Sequence, residues 1–96
     1  MDHSDDSLEE LAHAALAAHL RAERARAGLT QAGLSDRTGI HTTTLSRIEN
    51  GKLAITLEQI LKIAPALGVT AGDFVDSAQA QVSKVVKGRR RKELSE

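Results

Sequence analysis

The chain contains no cysteine, tryptophan or tyrosine, and Phe74 is its single aromatic residue. The absence of cysteine excludes a disulfide scaffold, a thiolate metal site and a cysteine nucleophile. The scarcity of aromatic residues argues against sandwiches and barrels, because strands favour aromatic and β-branched side chains. No run of about 18 apolar residues occurs, so the sequence predicts no membrane-spanning helix.

The N-terminus also lacks the features of a signal peptide. Residues 1–6 are acidic and have neither a basic start nor an apolar stretch. We therefore expect a cytoplasmic protein. A length of 96 residues suits a single domain, and a hydrophobic fraction of 41% that is rich in alanine favours one core of closely packed helices.

Positive and negative charges cancel over the whole chain but are unevenly distributed. Residues 1–10 carry five acids and neither Lys nor Arg, whereas residues 11–52 carry six bases and three acids. Residues 53–76 carry one base against three acids, and residues 77–96 carry six bases against two acids. Phosphate binding requires a positive surface rather than a positive total, so a net charge of zero does not exclude nucleic acid.

Helix-start and helix-stop signals predict five helices. Ser7 to Glu10 fits a capping box that opens the first helix, and Thr56 to Gln59 fits another that opens the fourth. Glycines follow the first four predicted helices, and Thr30 and Thr70 are candidate caps. The predicted helices span residues 8–27, 31–37, 42–50, 57–67 and 71–77. Short connections between them favour an all-α, compact domain.

The apolar pattern of the fourth helix, and a proline and a glycine inside helices, lead to three further predictions. The fourth helix is expected to bury one apolar stripe, formed by Leu57, Ile60, Leu61, Ala64 and Leu67. Pro65 in the same helix removes one backbone hydrogen bond, at a cost of about 3 kcal/mol in a regular helix interior, so we expect a kink or a tightened last turn. Gly33 weakens the second helix by about 1 kcal/mol relative to alanine.

The second and third predicted helices meet at Gly39, where glycine permits a sharp turn. Apolar residues are spaced so that they bury inward and hold the two helices at a fixed angle; they are Leu34, Ile40, Leu45 and Ile48. The polar residues between them can face outward. An outward Arg47 can bind the N7 and O6 acceptors of guanine together, and a threonine can hydrogen-bond a base or contact a thymine methyl group.

Four pieces of this region resemble the helix-turn-helix of the XRE family, the Cro and phage-repressor type. They are Gly28–Gln31, Thr38–Gly39, Leu45–Gly51 and Ala66–Val69, in order and at matching spacing, within a resemblance that covers about residues 14–76. The resemblance implies a five-helix, lambda-repressor-like fold whose third helix enters the major groove of DNA. Gly33, where the family usually has a helix-favouring residue, and Pro65 depart from its pattern.

The charge distribution and the extent of the resemblance divide the chain into three parts. An acidic extension and the start of the first helix occupy residues 1–13, and the DNA-binding domain occupies residues 14–77. The basic extension, residues 78–96, is expected to be helical at first. Its tip, Arg89–Lys92, has no apolar partner and four adjacent cations, so we expect disorder there. This run is either a DNA-binding arm or a solubilising tail.

The resemblance also implies roles for individual residues. Base-reading positions are occupied by Thr42, Thr43 and Arg47, with Thr44 and Ser46 beside them. Phosphate contacts are expected from Gln31, Asn50 and Lys52, and His41 is expected to cap the third helix or contact phosphate. Arg24 and Glu49 match a charge pair that ties the first helix to the third.

Each assignment has a simpler alternative. Thr42–Thr44 fits a solvated helix start, because threonine caps helices well. Arg47 is alternatively an ordinary surface charge, and Gln31 an ordinary helix start. Arg24 and Glu49 alternatively form an exposed pair that contributes little to stability.

Metal, cofactor and catalytic sites are not predicted. His13 and His19 are six residues apart, which is the wrong spacing for a shared helix face, and His3 and His41 do not complete a ligand set. The sequence has no glycine-rich phosphate loop, no nucleophile beside a base and no paired carboxylates in apolar surroundings. We therefore expect neither a cofactor nor an enzymatic activity.

Together these features predict a bacterial or phage transcriptional regulator associated with the nucleoid. It is expected to bind double-stranded operator DNA and to act as a repressor. It is also expected to form a homodimer, with an interface made by the fourth and fifth helices or by the C-terminal extension. Two alternatives remain. One is an antitoxin-type module that binds a toxin and represses its own operon, and the other is an adaptor whose helix-turn-helix does not contact DNA.

Overall fold

A computed structural model describes the backbone of residues 3–94 and, within it, the side chains of residues 8–84 and 86–88. This part of the chain forms five α-helices and no strand, which confirms the predicted all-α class. The helices are α1 (His3–Arg26), α2 (Gln31–Thr38), α3 (Thr42–Glu49), α4 (Leu57–Ala66) and α5 (Ala71–Leu94). None of them is long and apolar enough to cross a membrane.

The start of α1 differs from the prediction. The helix begins at His3, so Ser7 lies inside it and is not its cap. The acidic residues Asp5 and Asp6 belong to the first turns, where negative charge is favoured by the helix dipole. The residues that follow are mostly alanine, leucine and glutamate, which extend a helix at little cost.

The caps of α2 and α3 follow the sequence signals. The Gly33 N–H donates to Thr30 Oγ1 at 2.9 Å, and the Thr43 N–H donates to His41 Nδ1 at 3.2 Å. Gly39 ends α2 with a φ of 75°, and its N–H donates to the Ser35 carbonyl. The turn between the two helices is therefore fixed by local hydrogen bonds and by one left-handed residue.

The core lies where α1, α3 and α5 meet the α2–α4 pair. Its fully buried large side chains come from all five helices; they include Leu20, Leu34, Leu45, Ile48, Ile63 and Phe74. His19 is also buried, with its ring 4.8 Å from the Phe74 ring and its Nδ1 3.4 Å from Gln81 Nε2. This contact joins α1 to α5.

The buried face of α4 is narrower than predicted. Ile60, Ala64 and Leu67 are buried as expected, but Leu57 and Leu61 are 69% and 57% exposed. Because successive residues are about 100° apart around a helix, Leu61 points away from the face that α2 and α5 cover. Ile63 completes the buried face in its place.

Pro65 lies one residue before the end of α4. The turn after it is tightened, because the Leu67 N–H reaches the Ala64 carbonyl and the Gly68 N–H reaches the Pro65 carbonyl, both at 3.0 Å. These are bonds between residues three apart, as in a 3₁₀ turn. The proline therefore removes one hydrogen bond near a helix end, where the loss is least disruptive.

The final helix continues beyond the predicted residues 71–77. It runs from Ala71 through Gly88 to Leu94, so the basic extension continues α5. Phe74 and Ala78 anchor its first turns in the core, and each further residue then adds a hydrogen bond without a new nucleation cost. Arginine and lysine are good helix formers and are favoured near a helix C-terminus.

Gly39→Ala should lower the free energy of unfolding by about 1 kcal/mol, because a left-handed φ is unfavourable for residues with a Cβ atom. Chemical denaturation measures this change. Gly33→Ala is the matched control, since Gly33 lies inside α2, and its added Cβ would lie 3.3 Å from Thr30 Oγ1. We expect this control to stay within about 0.5 kcal/mol of wild type, because better helix propensity offsets the crowding at the cap. Equal destabilisation by both substitutions would contradict the role given to Gly39.

Candidate nucleic-acid interface

Helix α3 has one buried and one outward face. Leu45, Ile48 and Glu49 are buried, whereas Thr43 and Arg47 are exposed. The apolar residues pack against the core and thereby fix which side of the helix meets solvent. The outward side carries short hydroxyl groups and one long cation.

The outward face of α3 borders an open depression of about 610 Å³. Its lining residues are Gln31, Thr42, Thr43, Ser46, Arg47, Asn50 and Lys52. The structure thus brings together seven of the nine residues that the sequence predicted to contact DNA, from α2, α3 and the turn after α3. Thr44 and His41 do not line it.

Two of the predicted contact residues also have local roles. His41 Nδ1 accepts the Thr43 N–H and caps α3, so only Nε2 of its ring is free for another partner. Asn50 Nδ2 donates to Ser46 Oγ at 3.3 Å, one turn back along the chain. Asn50 is exposed and is the C-cap residue of α3.

Arg24 and Glu49 form a two-pronged ion pair between α1 and α3. Arg24 Nε donates to Glu49 Oε2 at 2.8 Å, and Arg24 Nη2 donates to Glu49 Oε1 at 2.9 Å. The Glu49 side chain is 2% exposed and the Arg24 side chain 20%. The alternative of an exposed pair therefore does not describe these residues.

The hydrogen bonds that Arg24 donates to Glu49 raise the pKa of Arg24 above its ordinary value, and burial of the guanidinium opposes this rise. A raised pKa in the folded state means that the charged form stabilises the fold. On the side of Arg24, this contribution is lost only when the pH rises through its raised pKa. Arg24 therefore keeps its charge throughout the neutral range.

The same carboxylate connects α2 to this pair. Gln31 Nε2 donates to Glu49 Oε1 at 3.3 Å, and Arg24 Nη1 donates to the Leu29 carbonyl at 2.8 Å. Gln31 was predicted to bind phosphate, and the structure places it both at the rim of the depression and against Glu49. The start of α2 and the end of α3 are thus held in one network.

Arg21 is a residue that the sequence reasoning missed. Its Nη1 donates to the backbone carbonyl of Glu49, at the C-terminal end of α3. Arg21 precedes Arg24 by three residues, so both lie on one face of α1. That spacing was the available signal, because a second arginine on the face that meets Glu49 can satisfy a helix-end carbonyl.

Among the side chains that the structure describes, no group of three or more histidines or carboxylates could hold a metal ion. The side chains along the outward side of α3 offer hydrogen bonding and positive charge. A short helix of this kind, held at a fixed angle behind a tight turn, defines a helix-turn-helix DNA-binding domain.

Comparison with known proteins identifies the family. A family model described as helix-turn-helix matches residues 20–74, more than half of the chain. The chain therefore belongs to the helix-turn-helix family of the XRE type. The match includes both arginines of the Glu49 network and the whole of α2, α3 and α4.

A solved structure has a similar fold. The crystal structure of the clp gene regulator ClgR from Corynebacterium glutamicum superimposes with a TM-score of 0.75, at 24% sequence identity. The alignment covers 86% of this chain and 88% of that one. At this identity the likeness establishes the fold. No curated protein matches the sequence.

Proposed function

We propose that the protein is a transcriptional regulator that recognises operator DNA by placing α3 in the major groove. The observation that carries this proposal is the depression along α3, where hydroxyl groups and two cations from three chain segments converge. Membership of the helix-turn-helix family supports it. The similar fold of a clp gene regulator agrees with it.

Within this proposal, base reading and phosphate binding belong to different residues. Arg47, Thr42 and Thr43 read base edges, with Ser46 and Thr44 in supporting positions, because they follow the outward side of α3. Lys52 binds phosphate beyond the end of the helix. Gln31, Asn50 and the free Nε2 of His41 are further phosphate donors; such contacts fix register without reading sequence.

We also propose that the regulator acts as a homodimer and represses by covering a promoter. One short helix reads only half a site, and dimers of this class bind half-sites about 34 Å apart. Leu57 and Leu61 on α4 and Val75 on α5 are large apolar residues exposed to solvent. Burying them against a second copy would be favourable, and this supports an interface formed by α4 and α5.

The proposal is tested by titrating the protein with the DNA upstream of its own gene, beside a scrambled duplex, at two salt concentrations. Tight binding that is lost on the scrambled duplex supports a sequence-specific regulator of its own gene. Equal and strongly salt-dependent binding to both duplexes contradicts self-regulation and indicates phosphate contact alone. Absence of binding to either would contradict the proposal and favour a protein-interaction module.

The dimer is tested separately by sedimentation of the free protein. We expect wild type to form dimers and Leu57→Glu/Leu61→Glu to be monomeric, because a charged pair cannot be buried without partners. The double variant should also bind the operator more weakly, while its helical content stays unchanged by circular dichroism. A variant that remains dimeric would show that another surface forms the interface.

A further inference from the structure

The surface changes charge on either side of Asn50. A second depression of about 630 Å³ adjoins the α3 depression and shares Asn50 with it. It lies between α1 and the turn after α3. Its lining residues are Glu9, Glu10, His13, Ala14, Ala17, Arg21, Asn50 and Gly51.

The two depressions carry opposite charge. The α3 depression contains Arg47 and Lys52 and no acidic residue. The α1 depression contains the carboxylates of Glu9 and Glu10 against the single guanidinium of Arg21, which keeps its charge while it donates to the Glu49 carbonyl, so acidic groups outnumber basic ones there. Glu9 and Glu10 are both exposed, so their charge faces solvent beside the DNA-facing surface.

Acidic residues are concentrated at the start of the sequence. Residues 1–10 contain five acids and no Lys or Arg. Glu9 and Glu10, whose side chains the structure describes, lie on α1. The small side chains of Ala14 and Ala17 also line the depression.

We propose that Glu9 and Glu10 are specificity-determining residues, which form an acidic boundary that confines DNA to the α3 side of Asn50. This inference rests on the proposed function. Phosphates that approach the α1 side are repelled, since charges act over about 10 Å at 0.1 M salt. The repulsion weakens binding of every duplex. It weakens non-specific complexes most, because they have no base contacts that hold the DNA over α3.

The expected consequence is a loss of discrimination when the boundary is removed. Glu9→Gln/Glu10→Gln should raise affinity for a scrambled duplex by about two- to fivefold at low salt, as expected for screened charges at short range. Affinity for the operator should rise less, so the ratio of specific to non-specific binding falls. The gain should shrink as salt is raised, because screening already weakens the repulsion in wild type.

The experiment measures binding to an operator and a scrambled duplex by fluorescence anisotropy at two salt concentrations. Asp36→Asn/Asp76→Asn is the matched control, because it removes two exposed acids from α2 and α5 that line neither depression. Circular dichroism checks that both double variants fold. The control should raise non-specific affinity clearly less than the α1 variant does.

The outcomes separate this inference from the proposed function. Equal gains in both double variants would mean that net charge alone matters, and no gain in the α1 variant would mean that DNA does not approach that side; either result overturns the boundary. If wild type prefers neither duplex, operator recognition is contradicted. The boundary is then still tested by comparing the affinities of the two double variants for the scrambled duplex. If wild type binds no DNA at all, both proposals are wrong.

Discussion

Glu49→Ala should lower the free energy of unfolding by about 3 kcal/mol, the lower end of the range for breaking a buried ion pair, because Arg24 is partly exposed. The substitution leaves Arg24 without its carboxylate and removes the acceptor of Gln31. It also opens a cavity at the junction of α1, α2 and α3. For a domain whose total stability is about 5–15 kcal/mol, this is a large fraction.

Thermal and denaturant unfolding measure this effect, with an expected fall in Tm of about 12–24 °C for a chain of this size. Lys62→Ala is the matched control, because it breaks the Glu58–Lys62 pair, which is exposed and lies one helical turn apart on α4. Such pairs contribute about 0.3–0.5 kcal/mol. A loss of less than 1 kcal/mol in Glu49→Ala would contradict the structural role of the network.

The same substitution should weaken operator binding in the fraction that remains folded. Arg24 and Gln31 hold the end of α3 through the Glu49 carboxylate, whereas Arg21 binds the Glu49 backbone carbonyl, which the substitution retains. Without that acceptor, the outward side of α3 is no longer set at one angle to α2. Glu49 touches no DNA in the proposed complex, so its effect on binding would come from positioning.

The helix-turn-helix could be predicted closely because its signals are local. Thr30 and His41 cap helices through bonds to residues two or three positions on, and Gly39 alone can end α2 with a left-handed φ. These interactions do not depend on the rest of the fold. Hence the predicted bounds of α2 and α3 differ from the observed ones by one residue.

The other helices show where local signals are insufficient. Ser7 resembles a cap, but α1 already begins at His3. Residues 3–6 contain no glycine or proline that would keep the helix from starting before Ser7. Leu57 and Leu61 fit an apolar stripe, but only packing against α2 and α5 decides which part of a wide stripe is buried. The length of α5 likewise depends on anchoring of its first turns by the core.

The sequence predicted individual candidate contact residues but not the surface that they share. The sequence indicated Arg47, Lys52 and Asn50 as candidate contacts, and the structure places them around one depression. It did not indicate that Asn50 also borders the acidic side of α1, since residues 9 and 50 are far apart in sequence. Juxtapositions of that kind follow from helix packing, which sequence patterns describe only loosely.

The largest effect on recognition is expected from Arg47. Its exposed side chain lies on the outward side of α3 beside Thr43 and Ser46, where a guanidinium can donate two bonds to one guanine. Arg47→Ala should weaken operator binding by about 1–3 kcal/mol and relax the preference at one base pair. Binding to a scrambled duplex should fall much less, because it depends on phosphate contacts.

Two further variants distinguish base reading from charge. Arg47→Lys keeps the positive charge but cannot form the planar, two-pronged contact, so it should lose most of the operator preference while retaining non-specific affinity. Lys52→Ala should weaken binding to all sequences alike. It should also reduce the slope of log affinity against log salt concentration by about one, because one phosphate contact is lost. A library of operator variants, titrated with each protein, measures both effects. Unchanged operator affinity in Arg47→Ala would show that α3 does not read bases through this residue, and equal losses on operator and scrambled DNA would assign Arg47 to phosphate instead.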